Sequence, residues 1–395
     1  MKIKFTFWKL IFLAIMAIGA YGTYVRFFHG LGPSTNLSDQ FPWGIWIGFD
    51  VLCGVMLAAG GFTLTAAVHI FNIKKLEPIV RPTVLTAFMG YLLVSVALVF
   101  DLGRPYNIWH PLVMRNPHSV MFEVAMCVML YTTVLSLEFS PIVLERFKME
   151  KPLRIIRGVL VPLVIVGVLL STLHQSSLGT MYLIMPNKLH PFWYSPLLPA
   201  FFFISAIAVG LAMTIFESSL SSKYFKKQLE LPILQLLGRV LIVVMAVYMI
   251  LRFEDLFHRD MLGQIVNPGA HAYERNLFLL EVGLLIAGFV MLCFKKIRMT
   301  PGGLYLSAVL VLLGFVTNRL NVSITGMEAQ AGVRYLPKWT EIGVTAAFVA
   351  AGFAIFGLAA KYLPIFEEEH GHSALESASK QAAKPEAAIG HAAGD

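Results

Sequence analysis

Charge is scarce in this chain. Asp, Glu, Lys and Arg together supply 14% of its 395 residues, against 57% hydrophobic side chains. Soluble domains carry about a quarter of their residues as charges, so a soluble enzyme is excluded. Cysteine is scarcer still. Cys53, Cys127 and Cys293 are the only three, each inside an apolar run and without CxxC spacing. They point to neither a disulfide nor an iron–sulfur ligand set. Polar low-complexity sequence is missing until residue 366, where FEEEHGHSALESASKQAAKPEAAIGHAAGD begins. That stretch is too polar to bury anything and is expected to be a disordered cytoplasmic tail, its histidines solvated rather than metal-bound.

What fills the chain is apolar runs long enough to cross a bilayer. A membrane-spanning helix needs about 20 such residues, and runs of that kind occur at 9–28, 43–71, 83–100, 118–139, 155–174, 196–219, 231–252, 275–294, 304–322 and 340–363. Helices satisfy their own backbone hydrogen bonds in lipid, so the expected fold is an all-α integral membrane protein. About ten transmembrane helices in bundles would make one domain over residues 1–365. The first run follows Lys2, Lys4 and Lys9 as a signal peptide would. Tyr21, Tyr24, Arg26 and Phe27 stand where a small-residue cleavage site is needed, so it reads as a mature helix.

The net charge of +8 is a topology signal. About two thirds of the 31 basic residues fall on one face, in the N-terminal segment, in alternate loops such as Lys74–Lys75–Arg81 and Lys295–Lys296–Arg298, and in the tail. The positive-inside rule then puts both termini in the cytoplasm, and no nucleic-acid partner is read from the charge.

The few ionisable residues inside the runs collect at the opposite, outer end. Counting at about 1.5 Å per residue, Asp50 lies two turns into the second helix. Asp101 and Arg104 close the third, Glu123 begins the fourth and His174 with Gln175 ends the fifth. Arg252, Glu254, Asp255, Glu281, Asn318, Arg319, Asn321 and Glu341 complete the set. A charge at bilayer depth costs about 3 kcal/mol, which marks the cluster as a working site. Each residue also has a structural reading: Arg104, Arg252, Arg319 and Glu341 as snorkelling ends, Asp50, Glu123 and Glu281 as helix-to-helix hydrogen bonds, His174 as a cap. Glu217 and His69 lie toward the inner side. With Tyr91 and Ser95 in the third helix, Glu217 could complete a proton path to the outer cluster. A b-type haem needs two histidines at matching depth on facing helices. His69 has no such partner, and His29, His110, His118, His190, His258 and His271 lie at or beyond the outer surface. Neither haem nor metal is therefore expected.

Three runs carry a resemblance. Phe41-Pro42-Trp43-Gly44 through Asp50-Val51-Leu52-Cys53-Gly54 to Ala59-Gly60-Gly61-Phe62, then Asp101-Leu102-Gly103-Arg104-Pro105, then His174-Gln175-Ser176-Ser177-Leu178-Gly179 resemble the NrfD/PsrC family of quinone-interacting membrane subunits. The likeness covers roughly residues 8–363. Ten helices and the His-Gln-Ser-Ser-Leu-Gly run look most like members that serve a periplasmic nickel–iron hydrogenase. The resemblance implies a multi-pass protein of the bacterial inner membrane with no haem or metal. It implies a menaquinone or ubiquinone site near the periplasmic face among Trp46, Asp50, Asp101, Arg104, Glu123, His174 and Gln175. Its implied proton path runs through Tyr91, Glu123, His174 and Glu217. The implied partners are a ferredoxin-like iron–sulfur subunit and the hydrogenase small and large subunits.

The chemistry asks for such residues. Quinone reduction consumes two electrons and two protons, so donors of tunable acidity such as His174 or Glu123 are needed, with Arg104 nearby. Trp46, Phe49 and Phe122 would hold the ring and tail. Glu123 and His174 are the expected proton donors. Three rivals stay open: a polysulfide or nitrite reductase subunit of the same family, a proton-coupled secondary transporter, and a passive anchor. Transporters place their sites at the midplane on broken helices in repeated halves, and no repeat is evident in the sequence.

Overall fold

The computed structural model describes residues 7–226, 228–267 and 269–366. The predicted tail, Phe366 aside, lies outside the described residues. Ten helices are long and apolar enough to span a membrane: α1 Phe7–His29, α2 Trp46–Ile70, α3 Lys74–Asp101, α4 Val120–Arg146, α5 Leu160–Leu183, α6 Leu198–Phe225, α7 Leu231–His258, α8 Ala272–Cys293, α9 Pro301–Ala331 and α10 Trp339–Tyr362. Among the described residues there is no strand. One end of the bundle, here the basic end, carries the α2–α3, α4–α5, α6–α7 and α8–α9 connections; the other is the far end.

Eight of the ten helices form two quartets. In α2–α5 and again in α6–α9 each helix packs on the next, and the last closes on the first. No repeat was legible in the sequence, because the matching element is a pattern of packing and not of residue types. The quartets join along α6, which lies against both α2 and α5. Gly210 makes this approach possible: a Cβ there would sit 2.8 Å from the Ala59 carbonyl carbon and the Gly60 nitrogen. The remaining helices pair with each other. Gly19 and Gly22 of α1 let it nest on Ala347 and Val344 of α10, and α10 rests on α3.

Two helices depart from expectation. α5 does not end at His174 but continues to Leu183. The polar run that suggested an end stays helical because its hydroxyls bond back one turn, Ser177 to the Leu173 carbonyl at 2.7 Å and Thr180 to the Ser176 carbonyl at 3.1 Å. His174 is therefore well inside the helix. α2 is irregular, with π-helical turns at Trp46–Cys53 and Ala66–Ile70 and a break at Ala58–Ala59. At the break the Ala59 amide turns to the Met56 carbonyl, which frees the carbonyl of Val55. Gln175 Nε2 donates to that carbonyl at 3.2 Å, so one side chain of α5 satisfies a gap in α2.

Gly210→Val should destabilise the protein by about 1–3 kcal/mol through overpacking at the α2–α6 crossing. Gly283→Ala, whose Cβ would meet nothing within 4 Å, should leave stability unchanged or slightly raised. Thermal unfolding of the two variants in detergent checks the contrast.

Candidate functional site

The far-end ionisable residues fall into groups that differ in how well they are partnered. In the second quartet the buried acids are satisfied, while Arg252 and Arg319 each keep an unpartnered Nε. Glu281, buried on α8, accepts from Trp193 Nε1 at 2.9 Å, Asn318 Nδ2 at 2.7 Å and Asn321 Nδ2 at 2.9 Å. Asp255 accepts from Ser195 Oγ at 2.7 Å and pairs with Arg259 at 2.6 Å and Arg252 at 3.8 Å. Arg319 is no snorkelling end. It is 1% exposed, lies 3.4 Å over the Phe202 ring and donates to Ser205 Oγ at 2.8 Å. Glu341 likewise is buried, accepting from the Asn36 and Lys338 amides at 2.9 Å each and from the Tyr335 hydroxyl. These groups hold helices and loops together.

The first quartet is different. His174 is fully buried and neither ring nitrogen has a hydrogen-bond partner. Its ring lies 5.7 Å from that of Tyr91, which in turn meets Tyr131 edge-on at 4.6 Å. The hydroxyls of Tyr91, Tyr131 and Ser171 and Oε1 of Gln175 are also buried without a partner, although Ser171 stands beside both tyrosines. Buried polar atoms in native proteins nearly always find partners, so five such residues in one bundle core set it apart from the partnered far-end acids of the second quartet. One turn toward the far end, Ser177 Oγ donates to Glu123 Oε1 at 2.6 Å. Glu123, in the first turn of α4, is half-buried and reaches the far-end surface.

The other predicted site residues separate from this core. Asp50 accepts from Thr345 Oγ1 of α10 at 2.7 Å, and Trp46 Nε1 donates to the Glu341 carbonyl at 3.3 Å. Both therefore face α10. Asp101 keeps one buried unpartnered oxygen, and its neighbouring cation is Arg26. Arg26 is buried and donates to the Phe100 and Leu102 carbonyls at 2.5 and 2.6 Å. Arg104 is exposed in the turn after α3 and makes no ion pair among the described residues. The structure thus brings Glu123, His174, Gln175 and Tyr91 together, sets Trp46, Asp50 and Asp101 in a separate packed group near α1 and α10, and leaves Arg104 outside both. Glu217 of α6 is buried with both carboxylate oxygens unpartnered, next to Thr86.

Sequence reasoning missed Tyr131, Ser171, Ser177, Arg26 and Glu138. A signal existed for most of them. Glu123, Cys127, Tyr131 and Glu138 share one face of α4, and Ser171, His174, Gln175 and Ser177 line the facing side of α5, at the three- and four-residue spacing of a helix stripe. Arg26 had none, since its burial depends on the pairing of α1 with α10.

A family model described as polysulphide reductase, NrfD, matches residues 33–330. The chain belongs to the NrfD family. Relatives agree over nearly the whole length. A protein of Nitratidesulfovibrio vulgaris is 39% identical over 365 residues, 90% of this chain and 93% of its own. The probable Ni/Fe-hydrogenase 2 b-type cytochrome subunit of Escherichia coli is 34% identical, covering 86% of this chain and 87% of its own. The menaquinone reductase integral membrane subunit of N. vulgaris is 30% identical, covering 93% of each. The family's named relatives are thus membrane subunits of redox complexes, and this chain is a multi-pass membrane protein of the same kind.

One expectation is corrected by these names. The histidine positions had argued against haem, whereas the E. coli relative is named a b-type cytochrome subunit. The exclusion of haem from this chain does not stand. Of the described histidines, His174 is the one buried in the bundle core with both ring nitrogens unpartnered, and its imidazole suits an axial ligand. No second described histidine is buried in the bundle core beside it, so the described residues offer one of the two ligands that a bis-histidine haem takes. Absorption spectroscopy of the purified protein tests for haem: a b-type band reports it, and loss of that band in His174→Ala assigns the ligand.

The partnering difference has a stability consequence. Glu281→Ala strands three buried donors and should cost about 3 kcal/mol, while His174→Phe breaks no hydrogen bond and should cost less than about 1.5 kcal/mol. Chemical unfolding in micelles measures both. His190, in the α5–α6 loop, has its pKa lowered to about 4 from 6.5 by burial, with the adjacent His271 adding to the shift and Glu274 opposing it. The unfolded chain therefore binds the proton more readily, and stability should fall as pH drops from 6.5 toward 4. His190→Gln should flatten that part of the profile.

Proposed function

We propose that this chain is the quinone-reactive membrane subunit of a respiratory oxidoreductase. It would pass electrons between a periplasmic iron–sulfur subunit and the menaquinone or ubiquinone pool. The observation that carries this reading is the unpartnered interior of the first quartet, leading from His174 to Glu123 and Ser177 at the far end. A quinone takes up two electrons and two protons when reduced. The site offers what that demands of a protein: an imidazole and a carboxyl group able to hold or release a proton near the surface, held by Ser177 and Gln175. No electron carrier of this chain is needed for the proton steps, because donors and acceptors in hydrogen-bond reach are sufficient.

Glu123 and His174 are the proton-exchanging pair in this reading. Ser177 Oγ lies within hydrogen-bond distance of Glu123 Oε1 and of the Leu173 carbonyl; it donates to the carboxylate when Glu123 is ionised and accepts from it, donating to its own helix, when Glu123 is protonated. The Trp46–Asp50–Asp101 group is the neighbouring surface against which the ring or tail of the quinone would lie, with Arg26 rather than Arg104 as its cation. The basic loops, read by the positive-inside rule, make the far end periplasmic, and a ferredoxin-like subunit would dock there. A nickel–iron hydrogenase is the favoured complex because the hydrogenase relative is 34% identical and the menaquinone reductase relative 30%. A complex of another NrfD type is the second reading. Subunits that co-purify in mild detergent distinguish the two.

In the intact complex, Glu123→Gln and His174→Ala should each lower quinone-linked turnover at least tenfold, the lower end of general acid–base contributions being about a hundredfold. Turnover with a soluble dye that accepts electrons from the partner subunits should stay unchanged. Equal rates in variant and wild type would reduce the chain to a passive anchor.

A further inference from the structure

The first quartet is open at its basic end. A cavity of about 260 Å³ sits between α2, α3, α4 and α5, with His69, Glu77, Arg81, Glu138, Glu145 and Arg157 in its wall. Three of these residues pair with one another: Glu145 with Arg81 at 3.0 Å and with Arg157 at 2.7 Å. Glu138 stands apart from that network. It lies deepest of the α4 residues in the wall, is 8% exposed, and has no ion pair among the described residues. Across from it α5 has a glycine. A Cβ on Gly167 would lie 3.0 Å from Glu138 Oε1 and 3.6 Å from Tyr131 Cε2, so the bare backbone leaves a gap with the carboxylate on one side and the Tyr131 ring on the other.

Beyond that gap the polar chain is continuous in kind. Tyr131 stands beside Ser171, Ser171 beside Tyr91, and Tyr91 beside His174 and Gln175. Glu138 and Glu123 are 15 positions apart on one stripe of α4, about 22 Å along the axis. The stripe spans the distance between the aqueous cavity and the far-end pair. Glu217, by contrast, lies on α6, outside the quartet, and the residue at its carboxyl group is Thr86.

We infer that the basic-end cavity is the proton intake of this protein and that Glu138 is the carboxyl group that loads the relay Tyr131–Ser171–Tyr91–His174. The inference rests on the quinone reading above and deepens it. For each quinone reduced, two electrons arrive from the partner subunit and two protons enter from the water of the cavity. Each proton passes through the Glu138 carboxyl group and the hydroxyl chain to His174 and leaves as an O–H of the quinol. In the opposite direction the two protons exit by the same groups.

The test uses the complete complex in sealed vesicles, with a short-chain menaquinone analogue and the partner's own electron donor, and a pH-sensitive dye on the basic side. Glu138→Gln should slow quinone-linked turnover at least tenfold and abolish proton uptake from the basic side. Dye-linked turnover and the KM for the quinone should stay within twofold of wild type, and Glu138→Asp should recover part of the rate. Gly167→Ala, which crowds the gap without touching the carboxylate's charge, should give a smaller loss of the same selective kind. In wild type, a hydrophobic carbodiimide should label Glu138, read by peptide mass, in step with loss of quinone-linked activity; this holds even if Glu138→Gln fails to assemble. Glu138→Gln with a wild-type rate and undiminished uptake overturns the intake while leaving the quinone reading intact. A wild-type complex that assembles but does not turn over quinone overturns both.

Discussion

Inside a lipid-embedded bundle a polar group has no water to fall back on, so each one must find a partner in the protein or stand ready for something else. This requirement orders the whole structure. The far-end acids of the second quartet meet it: Glu281 gathers Trp193, Asn318 and Asn321, and Asp255 gathers Ser195 and two arginines. Such networks rigidify a scaffold when every member is satisfied. The first quartet leaves His174, Tyr91, Tyr131, Ser171 and Gln175 with unpartnered polar atoms, and it has an opening at the basic end.

The two quartets share a packing pattern and differ in what they do with buried polarity. α6 is the common wall, pressed so closely on α2 that Gly210 meets backbone. One rigid half supports one half with loose polar ends, an arrangement suited to chemistry that needs fixed positions and exchangeable protons. The break in α2 belongs to this design. It frees the Val55 carbonyl, and Gln175 satisfies it, which ties the residue next to His174 to the neighbouring helix and fixes the orientation of that turn of α5.

Much of the site was legible in the residues themselves. Glu123, His174, Gln175 and Tyr91 are polar residues in apolar runs, and the cost of burying them singled them out before any coordinate was known. Tyr131, Ser171 and Ser177 were hidden because a hydroxyl can bond its own helix and so carries little cost; only their position opposite His174 gives them a role. Arg104 misled for the opposite reason. It sits in a motif beside Asp101, but the chain turns after α3 and leaves it in the open, while Arg26, far from Asp101 in sequence, reaches the end of α3 and takes its place.

Hydrophobic length and spacing determined the ten spans and their alternation, because a helix in lipid depends only on its own backbone and the apolarity of its side chains. Charge in the loops gave an expected orientation for the same local reason. The tertiary structure decided which polar residues are spent on holding the bundle and which are left free, since partnering depends on what the facing helix presents. It also decided that Asp50 and Asp101 lie apart from His174, beside α10 and α1, and that Glu138 lines the basic-end cavity, because both follow from how helices pack together and not from any one of them.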